Sequence, residues 1–140
     1  GYTYSGPPAA CAVTLKTLEI YERDQIFSKA AITGRYFQSK LHTLKSHILI
    51  GDIRGRGLLG AVELVANKTT KRPFNGGDVG AFMVRACEKK GLILRAVAGN
   101  SIAFCPPLII TEAQIDELFD KFEVALGLTL DYAKKQGLLV

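Results

Sequence analysis

At 140 residues, 48% apolar and 22% charged, the chain has the make-up of one globular domain rather than a disordered chain, long enough to bury a core without disulfides or metals. Its net charge of +5 is interrupted by acids everywhere except the run 68–72 (KTTKR), so the charge reads as a mild surface bias with a solvated loop at that run, and no nucleic-acid partner is expected. Cys11, Cys87 and Cys105 form no CxxC pair and stand apart from His42 and His47, and the chain shows no signal peptide and no long apolar run; no disulfide framework, metal or membrane is expected, and the setting reads as reduced and cytoplasmic.

The opening GYTYSGPPAACAV lacks an initiator Met and reads as the interior of a longer protein, an engineered or proteolytic fragment of it. Pro8 suits the first turn of a helix, where an N–H has no intrahelical partner to lose, and 9–22 are rich in helix formers. Asp24 is expected to N-cap a second helix. Its Phe27, Ala30, Gly34, Phe37, Leu41 and Leu44 recur at three-four spacing and share one face.

From Ile48 the pattern turns strand-like over 48–53 and 58–65, joined tightly through Arg54-Gly-Arg-Gly57. Residues 67–77 read as a polar loop. A third helix over 78–90 turns Val79, Phe82, Met83, Ala86 and Cys87 inward and is capped by Gly91. Strands at 92–96 and 101–104 pair through the turn 97–100, and Cys105-Pro-Pro ends the pairing because proline cannot donate to a ladder.

Thr111 and Gln114 form a capping box. The helix they start carries Ile115, Leu118, Phe119, Phe122, Leu126 and Thr129 on one side and runs to Gln136, before Gly137. The order is two helices, two strands, helix, two strands, long helix. That is an α+β fold, a small antiparallel sheet of about four short strands with helices on one face.

Candidate chemistry is sparse. No Ser/His/Asp set presents itself. GRGLLG at 55–60 is followed by strand, whereas a phosphate fingerprint opens a helix, so it reads as a hairpin. Two places remain. In GYTYSG, glycines and hydroxyls just before a helix suit close approach to a phosphate, but on spacing alone a frayed end and an ordinary cap explain them too. Arg95 lies in the apolar stretch LILRAV; such an Arg either pairs structurally or clamps a carboxylate with its planar guanidinium.

These features carry a resemblance. GYTYSGPPAACAV is similar to the GFTYSGHPVACAV stretch of class III pyridoxal-phosphate aminotransferases, the ω-transaminase kind. RGRGLLGAVELV resembles that family's RGxGLLxAxELV hairpin, and GLILRA followed by PPLIIT resembles its GLIxRxxxxxxxxxPPLxxT segment. The stretches keep the family's order and spacing across nearly the whole chain.

The resemblance implies the C-terminal part of a fold-type I pyridoxal-phosphate transferase. Residues 1–23 would end the cofactor-binding large domain, and 24–140 would form the C-terminal small domain. Thr3 matches the Thr that binds the cofactor phosphate of the neighbouring subunit in a homodimer, with Tyr2, often Phe in relatives, beside it. Arg95 matches the mobile arginine that binds the substrate carboxylate and swings away for amines lacking one. Pro7 departs from the family's usual His.

The Schiff-base lysine, the Asp at the pyridine nitrogen and the stacking aromatic would all lie upstream of Gly1, so these residues alone should be inactive. The parent would move an amino group between an amine or ω-amino acid and a keto acid such as pyruvate, by a ping-pong route through pyridoxamine phosphate. The alternatives are a stand-alone, non-catalytic α+β module that binds a ligand or partner, and another class III enzyme such as an aminomutase or decarboxylase.

Overall fold

Pro8 opens the first helix: in the computed structural model, which describes residues 6–139, α1 spans Pro8–Arg23. Pro7 is extended ahead of it, at φ −62° and ψ 130°, as a residue preceding proline prefers. No residue of α1 is buried, and Val13 and Leu15 are each about two-thirds exposed. The edge of Tyr21 against the Phe27 ring, 5.2 Å between centroids, ties this helix to the next.

The second helix, α2, spans Ile26–Thr43 and tightens into a 3₁₀ turn at Leu44–Ser46. The expected Asp24 cap is not made. Asp24 ends α1, with its carboxylate held by the Arg23 guanidinium at 2.7 and 2.8 Å, and Gln25 takes a left-handed φ of 53° before α2 starts. The inward face is nearly as expected, with Gly34, Phe37, Leu41 and Leu44 buried, but it begins at Ile26. Ile26 stands four residues before Ala30 and shares the stripe; Phe27 lies about 100° round the helix and meets α1 instead.

The four strands are β1 Ile50–Arg56, β2 Leu59–Leu64, β3 Arg95–Val97 and β4 Ser101–Phe104, in the order β1-β2-β4-β3 with every pairing antiparallel. The first hairpin is tighter than expected. Arg54-Gly-Arg belongs to β1, and only Gly57 and Leu58 make the turn, Gly57 at φ 58°. A Cβ on Gly34 would stand 2.9 Å from the Gly57 backbone, so α2 crosses the hairpin where two glycines meet. A bulge at Gly51 shifts the register between Ile50↔Leu64 and Asp52↔Glu63.

Two further helices complete the chain, α3 at Val79–Glu88 and α4 at Glu112–Lys135. The capping box forms: Gln114 N–H donates to Thr111 Oγ1 at 3.2 Å, and Thr111 N–H donates to Gln114 Oε1 at 3.0 Å. The core they close is aromatic at its centre. Phe104 lies 6.1 Å from Phe37, 5.9 Å from Phe119 and 5.0 Å from Phe122, ring to ring. Each such ring contributes roughly 1.5–3 kcal/mol on burial.

Around this centre α2 is pinned to α4 by Asp116, which accepts from Lys40 Nζ at 2.6 Å and from the Tyr36 hydroxyl at 2.7 Å. Those two donors, Lys40 first, hold the Asp116 carboxyl below the usual range. Phe82 is only half-buried and stacks on Tyr132 of α4 at 4.1 Å.

The basic run 68–72 forms the exposed turn expected of it, closed by the Asn67–Arg72 bridge, with one lysine anchored. Lys68 Nζ donates to the carbonyls of Lys45, Ser46 and His47 at 2.6, 2.8 and 3.2 Å, satisfying acceptors left by the end of α2 and its 3₁₀ turn. Its charge therefore stands against a helix C-terminus, where a cation is favoured.

The alternation of the strands divides the sheet. Gly60, Val62 and Leu64 of β2 and Ile102 and Phe104 of β4 face the helices, all but Gly60 fully buried. A Cβ on Gly60 would press within 2.7 Å of Leu41 and 3.0 Å of Phe37. The intervening residues form the other face.

Candidate functional site

That other face is where the sequence-derived arginine sits. Register aligns Arg54↔Ala61, Ala61↔Ala103 and Ala103↔Arg95, so one row crosses all four strands with an arginine at each end and alanines between. At about 4.8 Å per strand step the two arginines stand roughly 14 Å apart at the backbone.

Their environments differ. Arg54 Nη1 bonds Asp52 at 2.6 Å and Glu63 at 2.9 Å, and these carboxylates, Glu63 foremost, raise its already high pKa. Arg95 is exposed and makes no hydrogen bond or ion pair with any other described residue.

Arg95 opens β3 rather than lying inside a longer strand; 92–94 approach without ladder pairing. The short β3 follows from its position, since it is an edge strand paired only with β4 and is fed by a helix end at Gly91, φ 75°. Beside Arg95 opens a cleft of about 400 Å³ lined by Ile93, Val97, Cys105, Pro107, Ile110 and Leu118 among others. The arrangement is a permanently charged planar donor at the rim of an apolar cleft, suited to a carboxylate whose remainder is apolar.

The turn that follows Arg95 is built from Ala98 at φ 44° and Gly99 at φ 80°. Asn100 then sends its side-chain oxygen to the N–H of Gly80, 2.8 Å away, in the first turn of α3. Sequence reading missed both residues; an Asn closing a glycine turn was the available signal, but its target twenty residues upstream was not.

Thr3 and Tyr2 lie outside the described residues. GRGLLG forms the hairpin expected of it. Among the described residues no three His, Cys, Asp or Glu side chains gather to hold a metal, and no helix is long and apolar enough to cross a membrane. Burial pushes the Cys87 thiol up to about 11, with Glu88 adding to it, so that thiol stays protonated at neutral pH.

The family model for class III aminotransferases matches residues 1–126. The chain belongs to the class III aminotransferases. It is 43% identical over 119 residues to the putrescine–pyruvate aminotransferase of Pseudomonas aeruginosa, covering 84% of this chain and 26% of that protein. It is 41% identical over 127 residues to the chloroplastic gamma-aminobutyrate transaminase 3 of Solanum lycopersicum, covering 90% of this chain and 24% of that one.

Among solved structures, it resembles the omega transaminase of Pseudomonas jessenii in complex with PMP, at TM-score 0.87 and 39% identity, over 94% of this chain and 29% of that chain. Its four-stranded antiparallel sheet with covering helices is thus that of the fold-type I, pyridoxal-phosphate-dependent ω-transaminases. This class III chain spans about a quarter of the length of the curated relatives it matches.

Proposed function

We propose that this class III chain is the substrate-binding C-terminal region of a homodimeric, cytoplasmic enzyme that moves an amino group between an amine or ω-amino acid and a keto acid such as pyruvate. The observation that carries the reading is Arg95, an unpaired cation at an apolar cleft in a chain of this family. The P. aeruginosa relative, named for putrescine and pyruvate, supports that substrate pairing.

Pyridoxal phosphate, when bound, supplies the electron sink for the transfer. On the family resemblance its phosphate is held by Thr3, by hydroxyl and backbone N–H, and by Tyr2, reaching the neighbouring subunit's cofactor. Arg95 binds the carboxylate of the keto acid or amino acid bidentately and so fixes which end of the substrate meets the reacting centre. Without a carboxylate, its flexible stem lets the guanidinium leave the site.

The division of the chain near residue 24 follows from the same reading: no residue of α1 is buried and Tyr21 on Phe27 is its ring contact with α2, as suits a helix belonging to a neighbouring domain. These 140 residues alone are inactive, with the catalytic lysine elsewhere in the full-length protein. The deciding assay is amino transfer to pyruvate by that full-length protein with cofactor; its absence beside aminomutase or decarboxylase turnover would overturn the reading.

In the same protein Arg95→Ala lowers kcat/KM for keto and amino acids by about tenfold or more, and for simple amines little, from loss of a charge-assisted bidentate contact. Equal losses would refute the carboxylate role. Thr3→Val weakens cofactor retention, read by dialysis and absorbance; undiminished retention would remove the phosphate contact.

A further inference from the structure

We propose that Asn100 is a positioning residue for Arg95, acting as a latch that fixes the arginine-bearing hairpin to the start of α3. The inference rests on the carboxylate reading of Arg95 and concerns what holds that residue in place.

Besides the latch, Arg95 is held by Leu92 and Leu94, which pack on the core ahead of it, and by its strand pairing. β3 is three residues long, lies at the sheet edge and pairs only with β4, through Arg95↔Ala103, Ala96↔Ile102 and Val97↔Ser101. Arg95 itself has no described partner. The turn between the strands places Ala98, a residue with a Cβ, in the left-handed region at φ 44°. Such a conformation is unfavourable alone and persists where surrounding contacts over-determine it.

The contact on hand is Asn100. Its Oδ1 accepts the Gly80 N–H at 2.8 Å, one of the first-turn donors that a helix cannot satisfy internally. The residue that should satisfy such donors, Asp78, sits at the N-cap with φ 43° and makes no side-chain cap bond. α3 is therefore capped from outside, by the hairpin.

Gly80 makes the approach possible. A Cβ there would stand 2.9 Å from the Gly99 carbonyl oxygen and 3.1 Å from Asn100 Cα. The bond and the missing Cβ thus serve one contact, between the turn two residues beyond β3 and a helix that α4 packs in turn, through Phe82 on Tyr132. Loss of the latch frees the turn and, through β3, the backbone that aims Arg95, while the inner core stays intact.

The test uses the full-length enzyme with cofactor. Asn100→Ala raises KM for pyruvate about fivefold with kcat little changed, and leaves turnover of a monoamine donor unaltered, as expected for loss of one hydrogen bond felt through Arg95. Hydrogen exchange at the Gly80 amide rises about tenfold. Asn100→Asp, which keeps an acceptor oxygen at the helix start, restores both.

A lowered melting temperature with unchanged pyruvate KM, or failure of Asp to rescue, would overturn the latch. Should Asn100→Ala not fold, Gly80→Ala disrupts the same contact from the helix side and must raise pyruvate KM selectively; an unselective or absent effect refutes the proposal. Arg95→Ala, run in parallel, separates the two levels. If it spares carboxylate substrates the underlying reading fails, whereas if it harms them and Asn100→Ala does not, only the latch fails.

Discussion

The two faces of one small sheet do different work with the same alternation of residues. The inner face carries Val62, Leu64, Ile102 and Phe104 and meets an aromatic cluster from α2 and α4 with no charge among them. The outer face carries Asp52, Arg54, Glu63 and Arg95 around small alanines. On the outer face one arginine is neutralised by two carboxylates and the other is left without a described partner. The fold satisfies Arg54 and leaves Arg95 exposed at the rim of the apolar cleft.

The largest expected effect falls on the inner face. Phe104 is fully buried and touches three other rings, so Phe104→Ala should destabilise the chain by about 3–5 kcal/mol, the usual cost of truncating a core aromatic. Urea denaturation measures it. A loss under about 1 kcal/mol would mean that this cluster does not hold the sheet to the helices.

Inner-face legibility explains why so much of the fold could be read from sequence. The three-four spacing of Phe37, Leu41 and Leu44 and the Thr111–Gln114 capping box are local signals, and all appear as expected. What was misread was decided by short-range side-chain contacts that spacing and propensity do not reveal. Asp24 looks like an N-cap until its carboxylate is seen on Arg23; Phe27 looks inward until α1 offers Tyr21.

The candidate site was half legible. An Arg among aliphatics stands out, but that it opens β3, shares a row with Arg54 and leans on an Asn100–Gly80 contact depends on strand register and on a turn meeting a helix. The run 68–72 shows the same limit: its charges were visible, while Lys68's three carbonyl acceptors belong to a helix end more than twenty residues upstream.

A smaller effect sharpens the contrast between the arginines. Arg54→Ala and Arg95→Ala should each change stability by less than about 1 kcal/mol, the first because exposed ion pairs contribute little, the second because Arg95 has no described pair to lose. Only Arg95→Ala should touch carboxylate turnover. A clear loss of stability for Arg95→Ala would show that it is a structural cation, and the functional asymmetry of the row would collapse.

The smallest effect lies at the seam between the faces, where α2's 3₁₀ turn hands the chain to β1. His47 Nδ1 accepts the Leu49 N–H at 3.2 Å, a bond that requires the neutral ring, and Leu49 enters the core fully buried. Partial burial first, and the Lys68 ammonium second, hold the imidazole pKa below its ordinary 6.5. Lys45, on the same turn, adds no compensating negative charge. Because the folded pKa lies lower, the unfolded chain binds more protons just below pH 6.5, so stability rises with pH through that window and falls on acidification. Between pH 7.5 and 5.5 the His47 share of the loss should be below about 1 kcal/mol, read as a shift in the urea midpoint that His47→Gln abolishes. An unchanged pH dependence in His47→Gln would refute the assignment, because Asp116, the carboxylate that pins α2 to α4, has its pKa lowered and keeps its contribution until the pH falls below the ordinary carboxylate range.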